Sequence, residues 1–391
     1  MSTTQFDVVV VGGGLVGASL ALALEPHGYS VALVEPHGPP PLPGIDSWDT
    51  RVYSITPGSA ALLQACGAWD TLPHERLTRV EAMQIYGDDT NATLRFSAYD
   101  AGLRELAYIA ENSVLHHALW ERLRESAAIR VYCPARCASL AWEERSVTLE
   151  LDDGETLSAD LIVGADGADS WVREQAGIRS MRRPYGEVGV VANFATTRPH
   201  GGVAYQWFGR QGVLALLPLP GDRISMVWST PHAHAEELMQ MSANDLADAV
   251  AAASGYALGS LELITPAAGF PLKVQRVSRL VGPHVALVGD AAHNVHPLAG
   301  QGVNLGFRDV RDLAAVLASP GGRTNCGDYL LLRRYERARA EDIATMRAVT
   351  DGLQKLFRVD MVWVARLRNM GLDLVGRMPP LKNLLIRHAI A

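Results

Sequence analysis

The chain has only four cysteines in 391 residues, no long apolar run and no excess of positive charge. Each shortage excludes something. Cys66, Cys133, Cys137 and Cys326 show no paired framework, so a disulfide-stapled fold is not expected and a reducing cytoplasm fits best. Cys133 and Cys137 are close, but nothing completes a zinc site around them. No stretch reaches the ~18 apolar residues of a membrane-spanning helix. The residues before the first apolar run lack the basic start of a secretion signal. A net charge of −7 argues against nucleic acid or another polyanion as partner. Repeats are absent, and the one biased tract is Pro39-Pro40-Pro41. The length suggests two or three domains' worth of core.

What is present is punctuated by glycine and aspartate. Val8, Val9, Val10 and Val11 read as a strand buried on both faces. Gly12, Gly14 and Gly17 then fit G-x-G-x-x-G. The first glycine permits the tight turn, the second lets backbone approach a pyrophosphate, and the third lets the helix pack on the strand. The helix that follows aims free N–H groups and a positive dipole end at the phosphates. It stops at Pro26-His27-Gly28. A second apolar run over residues 31–34 ends in Glu35, an acid suited to a ribose hydroxyl. The motif indicates a dinucleotide but does not separate NAD from FAD.

Two later segments do. Asp166-Gly167-Ala168-Asp169-Ser170 follows a buried strand and precedes Val172 and Arg173. Gly289-Asp290 follows another and leads into His293, His296, Pro297, Gly300, Gly302 and Asn304. Taken singly, Asp166-Gly167 also fits an ordinary turn, and Asp290 also fits a cap. Together, and in this order, they resemble the flavoprotein aromatic hydroxylases. The strings over residues 49–55 and 293–306 resemble the ubiquinone-biosynthesis hydroxylase branch of that family. The resemblance runs over nearly the whole chain and is loosest in the middle.

The resemblance implies an α/β fold: a Rossmann-like FAD-binding domain interleaved with an antiparallel β-sheet substrate domain. It implies FAD as cofactor, with Asp290 on the ribityl chain and Arg51 near the flavin or its pyrophosphate. Asp166 and Gly167 would sit where flavin and reductant binding meet. The helix beginning near Val303 would aim its N-terminus at the flavin. The resemblance implies reduction of FAD by a nicotinamide donor, NAD(P)H, then O2 uptake into a C4a-hydroperoxide and oxygen transfer to a polyprenylated phenol. Rival readings are a same-fold monooxygenase on another aromatic, and a flavin-binding subunit of a quinone-synthesis complex without turnover.

The organisation fits two interleaved domains. Residues 1–75, 98–182 and 272–391 are expected in the FAD domain, and 76–97 and 183–271 in the substrate sheet. Residues 190–196, 203–208, 213–218 and 224–229 read as four strands separated by turn signals. Tyr205 and Trp207 share one face, Gln206 and Phe208 the other. Which face looks at the flavin is left open. No residue stands out as a catalytic base; His293, His296 and Tyr205 are the candidates. The two histidines find no partners for a metal site and also fit hydrogen-bonded loop residues. Past Lys355 the chain turns basic, with Asp360 and Asp373 its only acids. That tail fits either a docked helix or a peripheral contact with a membrane or a quinone-synthesis complex.

Overall fold

The computed structural model describes residues 3–44, 47–87, 93–209, 211–294 and 302–358. Its first sheet is built on five parallel strands: Val285–Leu287, Thr156–Gly164, Thr3–Val11, Val31–Val34 and Ile129–Tyr132, in that spatial order. The valine run is continuous because both faces of this sheet are covered. Val8, Val10, Leu33, Leu161 and Val163 are fully buried, each worth about 1.5–3 kcal/mol of transfer free energy. The helices Leu15–Leu24, Asn112–Glu125 and Gly302–Leu317 pack together on it. Cys137–Trp142 and Val147–Leu151 form a meander, joined antiparallel to Thr156–Gly164.

The second sheet has nine strands. Its main path runs His293–Asn294, Ala268–Val277, Ser180–Thr196, Arg223–Pro231, Gly212–Leu219, Val203–Gly209, Ala82–Tyr86 and Thr93–Ser97. The helices His232–Gln240 and Ala243–Ala253 cover one face, burying Val190, Phe194, Leu214 and Met226 against Leu238 and Val250. A small third sheet pairs Val52–Ile55 and Thr78–Val80 with Ala107–Glu111.

Three boundaries differ from expectation. The second sheet begins at Ser180 rather than 183 and runs through Val277 rather than stopping at 271, because Ser180 pairs with Val277 and Met181 with Arg276. Arginines and a bulge between Pro184 and Val188 interrupt the alternation there, so the strands do not announce themselves. Thr78–Val80 joins the small sheet instead of the second one. A charged helix, Tyr329–Arg358, follows in the C-terminal part of the dinucleotide domain. The basic tail from residue 359 lies outside the described residues. Among the described residues, no helix is long and apolar enough to cross a membrane.

Candidate active site

The three glycine/aspartate segments meet in space. Gly12 has φ +106°, and a Cβ there would stand 2.5 Å from the Ala165 carbonyl oxygen and 2.8 Å from the Asp166 nitrogen. Only glycine lets the first turn lie against the Asp166-Gly167 segment. Gly306 makes the second junction: its Cβ would meet Val16 Cγ2 at 2.6 Å and Gly289 Cα at 3.4 Å. Val16 belongs to the first turn of the helix after the glycine motif, so that helix, the Gly289-Asp290 turn and the helix starting at Gly302 converge on one point. Gly17 lies inside the first of these helices and Gly167 in the loop beside Asp166.

The helix Leu15–Leu24 starts from Gly14, which is extended and supplies no side-chain cap. Its first N–H groups therefore point outward as donors, the arrangement an anion requires. Glu35 is shared between tasks: one carboxylate oxygen accepts the Gly13 N–H at 2.5 Å and the other the His37 N–H at 3.0 Å. The Gly13 carbonyl takes the Trp120 indole N–H at 2.8 Å, with His116 Nε2 at 2.7 Å. The loop is thus fixed before any ligand arrives.

Asp290 is open to solvent yet crowded by protein atoms, as a group on the floor of a cleft is. That desolvation pushes its carboxyl above the usual carboxylate range, opposed by His293 and Arg51 and reinforced by Asp309. Arg51 is exposed, stands 5.4 Å from the Tyr53 ring centre and faces the same cleft. Asp166 is also pushed up by burial. One of its oxygens accepts the Val172 N–H at 3.0 Å, while Oδ1 is buried with no hydrogen-bond partner among the described residues.

Side chains that sequence reasoning passed over hold these pieces in place. Arg173, almost wholly buried, donates to the Ala168 carbonyl at 2.9 Å and the Ala291 carbonyl at 3.0 Å. Gln275 donates to the Asp290 carbonyl at 3.0 Å and accepts from Arg182 Nε at 2.7 Å; Arg182 in turn contacts Asp169 and the Ala168 carbonyl. Two arginines therefore tie the Asp166 loop to the Asp290 turn. Buried Asp309 takes the Gly289 N–H at 2.9 Å, His293 Nε2 at 2.6 Å and Arg339 Nε at 2.7 Å. The available signals were Arg173, directly behind the Asp166 segment, and Asp309, an acid inside the apolar stripe of Leu305, Val310 and Leu313.

The remaining expected residues fall in different places. Asn304 is fully buried and its amide is spent on backbone, accepting the Thr56 N–H at 3.0 Å and donating to the Ser54 carbonyl at 2.7 Å. Its part is to hold the Arg51 strand against the helix, not to reach into the cleft. His293 is buried against Asp309 rather than presented to a reacting ring. His296, Pro297 and Gly300 lie outside the described residues, and Gly302 opens the helix. Among the described residues, no cluster fit to hold a metal occurs.

The second sheet settles which face is which. Tyr205 and Trp207 pack, with Leu214, Leu216 and Trp228, against the covering helices. Tyr205 is therefore turned away from the cleft, which corrects its candidacy. The opposite face carries Val191, Asn193, Ala215, Ser225, Val227 and Gln206. Asn193 donates from this face to the Asp49 carbonyl at 3.0 Å, next to the Arg51 strand. An apolar face with a few neutral polar groups thus looks toward the dinucleotide domain.

Comparison with known proteins agrees. The family described as FAD binding domain matches residues 5–349. The chain is 37% identical over 385 residues to a ubiquinone hydroxylase, UbiL, of Rhodospirillum rubrum, covering 98% of this chain and 89% of that one. It is 33% identical over 393 residues to the 3-demethoxyubiquinol 3-hydroxylase of Escherichia coli, covering 100% of both. Its fold superimposes with a TM-score of 0.80 on p-nitrophenol 4-monooxygenase PnpA of Pseudomonas putida, at 18% identity and covering 100% of this chain and 99% of that one. With three motifs converging on one cleft beneath an apolar sheet, the chain belongs to the FAD-dependent hydroxylase family of ubiquinone biosynthesis.

Proposed function

We propose that this enzyme hydroxylates the aromatic ring of a polyprenylated ubiquinone precursor in the cleft between the Gly289-Asp290 turn and the second sheet. The observation that carries the reading is the close approach of Gly12 to Ala165 and of Gly289 and Gly306 to Val16, which brings the three glycine/aspartate segments together. FAD fits the groups present. The uncapped helix end at Gly14 would face its pyrophosphate. Glu35 would take a ribose hydroxyl, Asp290 the ribityl hydroxyls, and Arg51 would balance charge beside the flavin. The unpartnered Asp166 Oδ1 is an acceptor left for a hydroxyl or N–H of the cofactor or reductant. Bound FAD, reduced by a donor such as NAD(P)H, supplies the activation of O2.

The protein's own task is placement. Val191, Ala215 and Val227 give the ring an apolar ceiling that excludes water from the reaction. Asn193, Gln206, Ser225 and Ser229 are neutral. They can orient a phenol by hydrogen bonds, but none is a base at neutral pH. Deprotonation of the phenol is therefore left to water or to a group outside this face.

The test is a mass-spectrometric quinone profile of cells lacking the gene, compared with cells complemented by the gene. The expected result is accumulation of a prenylated phenol short of one oxygen, with fragmentation locating the ring position. An unchanged profile overturns the substrate assignment. Purified enzyme should also show NAD(P)H oxidation stimulated by the accumulated phenol.

A further inference from the structure

Residues 47–51, which deliver Arg51 to the cleft, belong to neither of the two large sheets. Side chains hold this segment from both domains. On the dinucleotide side the Asp49 N–H donates to Glu111 Oε1 at 2.6 Å, and Arg76 pairs with Glu111 at 3.0 Å. The Asp49 carboxylate accepts the Ser113 N–H at 3.0 Å and the Arg51 N–H at 2.9 Å. On the other side Trp48 carries two guanidinium groups over its ring, Arg76 at 4.7 Å and Arg223 at 5.4 Å from the ring centre. Arg223 opens a strand of the second sheet. From that sheet, too, Asn193 Nδ2 donates to the Asp49 carbonyl at 3.0 Å.

Asn193 is fully buried, and its backbone is fixed: its N–H donates to Thr265 Oγ1 at 2.9 Å and its carbonyl accepts the Ile264 N–H at 2.8 Å. The side chain therefore reaches out from a rigid point. Its Oδ1 is buried with no hydrogen-bond partner, and so is the Oγ of Ser225, the residue directly opposite. Among the described residues the Asp49 carbonyl is the one partner of the amide. A leucine would fill this interior position without an orphaned oxygen, so packing does not explain an asparagine here. What the amide does achieve is to fix a carbonyl two residues before Arg51.

Arg51 stands over the Tyr53 ring, and its charge is felt at Asp290. We propose that Asn193 is a positioning residue for Arg51: by holding the Asp49 carbonyl it fixes where the guanidinium stands beside the bound flavin. A positive charge there favours the added negative charge of the reduced ring system, so its placement helps to set the flavin's potential. The inference rests on the reading of Arg51 as a neighbour of the flavin, and it is independent of which phenol is the substrate. In this role Asn193 acts through Asp49 and Arg51.

The test is the midpoint potential of the bound flavin, measured by dye equilibration on the full-length FAD-loaded protein in a double-mutant cycle. Asn193→Leu has similar volume and no donor; Asn193→Asp keeps the shape and puts an acceptor against the Asp49 carbonyl. Trp48 still ties the segment to the second sheet in both, and flavin absorbance with melting temperature reports that they are folded. Arg51→Ala should make the potential more negative. Asn193→Leu and Asn193→Asp should shift it the same way, by no more than Arg51→Ala does. Combined with Arg51→Ala, either change at Asn193 should add nothing, because its effect runs through the guanidinium. A potential unchanged by both Asn193 variants overturns the proposal. So does an equal shift with and without Arg51, the mark of a merely structural role. In both cases the placement of Arg51 stands if Arg51→Ala moves the potential. An unmoved potential in Arg51→Ala itself overturns that placement and the proposal with it.

Discussion

His293 Nε2 lies 2.6 Å from Asp309 Oδ2 with both side chains buried, and the same oxygen holds the Gly289 N–H. One carboxylate thus fixes the turn that presents Asp290, and Arg339 braces it from the long helix at 2.7 Å. Replacing Asp309 with Ala leaves His293, Arg339 and the Gly289 amide without this partner in the interior. The expected loss is about 3–5 kcal/mol. Urea unfolding measures the stability, and flavin content after gel filtration measures the cofactor loss that should accompany it. Asp309→Asn keeps an acceptor and should retain more FAD than Asp309→Ala.

Gly306→Ala drives a methyl into Val16 and should cost about 1–3 kcal/mol by overpacking. Val16→Ala opens space at that contact. The double variant should therefore lose less than the sum of the two single losses, with a coupling of about 0.5–3 kcal/mol. Strict additivity in denaturant titrations would show that the two helices do not meet as described.

Asp290 carries a pH signature. Its folded carboxyl is raised above the unfolded value of about 3.9. The fold thus binds the extra proton more readily than the unfolded chain, and stability from this group is lost as pH rises through the folded pKa. Asp290→Asn should raise the melting temperature of the FAD-free protein at neutral pH. The gain should shrink toward zero as pH falls to about 4. The same variant should bind FAD more weakly, so stability and cofactor affinity move in opposite directions. Melting curves across pH, with and without FAD, measure both.

Tyr205 lies on the helix-covered face of the second sheet. Tyr205→Phe should leave turnover within about twofold of wild type, the effect of a change of about 0.5 kcal/mol. A loss of orders of magnitude in steady-state assays would put this tyrosine in the reaction.

Asp342 supplies the opposite pH case. Burial raises its carboxyl, but the hydrogen bonds and charges of Arg339 and Arg308 outweigh that and hold it below the usual range. Its contribution is present above the unfolded value of about 3.9 and is lost as pH falls through the depressed folded value. Asp342→Asn should therefore lower the melting temperature at neutral pH and make less difference in acid.

The dinucleotide half of the fold was legible because its code is local. Four valines, a glycine turn and Glu35 each act within a few residues, so the sequence order is also the order of contacts. The four central strands of the second sheet were legible for the same reason, by alternation between turn signals. Its outer strands were not: Met181, Arg182 and Arg183 carry no apolar period and are strands only because Ala268–Val277 lies beside them. Which face meets the cleft was equally hidden, since it depends on helices that cover Trp207 and Trp228 from later in the chain. The roles of Arg173, Gln275 and Asp309 escaped because each acts on backbone more than ten residues away. Asn304 was placed at the cleft by its motif, whereas its amide staples Ser54 and Thr56.

The meeting of Val16 with Gly289 and Gly306 has a temporal consequence. A ribosome delivers the glycine motif first and its two closing partners late, with most of the chain in between. Until residue 306 has left the ribosome, the nascent protein has a phosphate-binding turn with one wall missing. Cofactor capture is therefore a late event in synthesis, and FAD, by favouring the closed form, rewards only chains extended past residue 306.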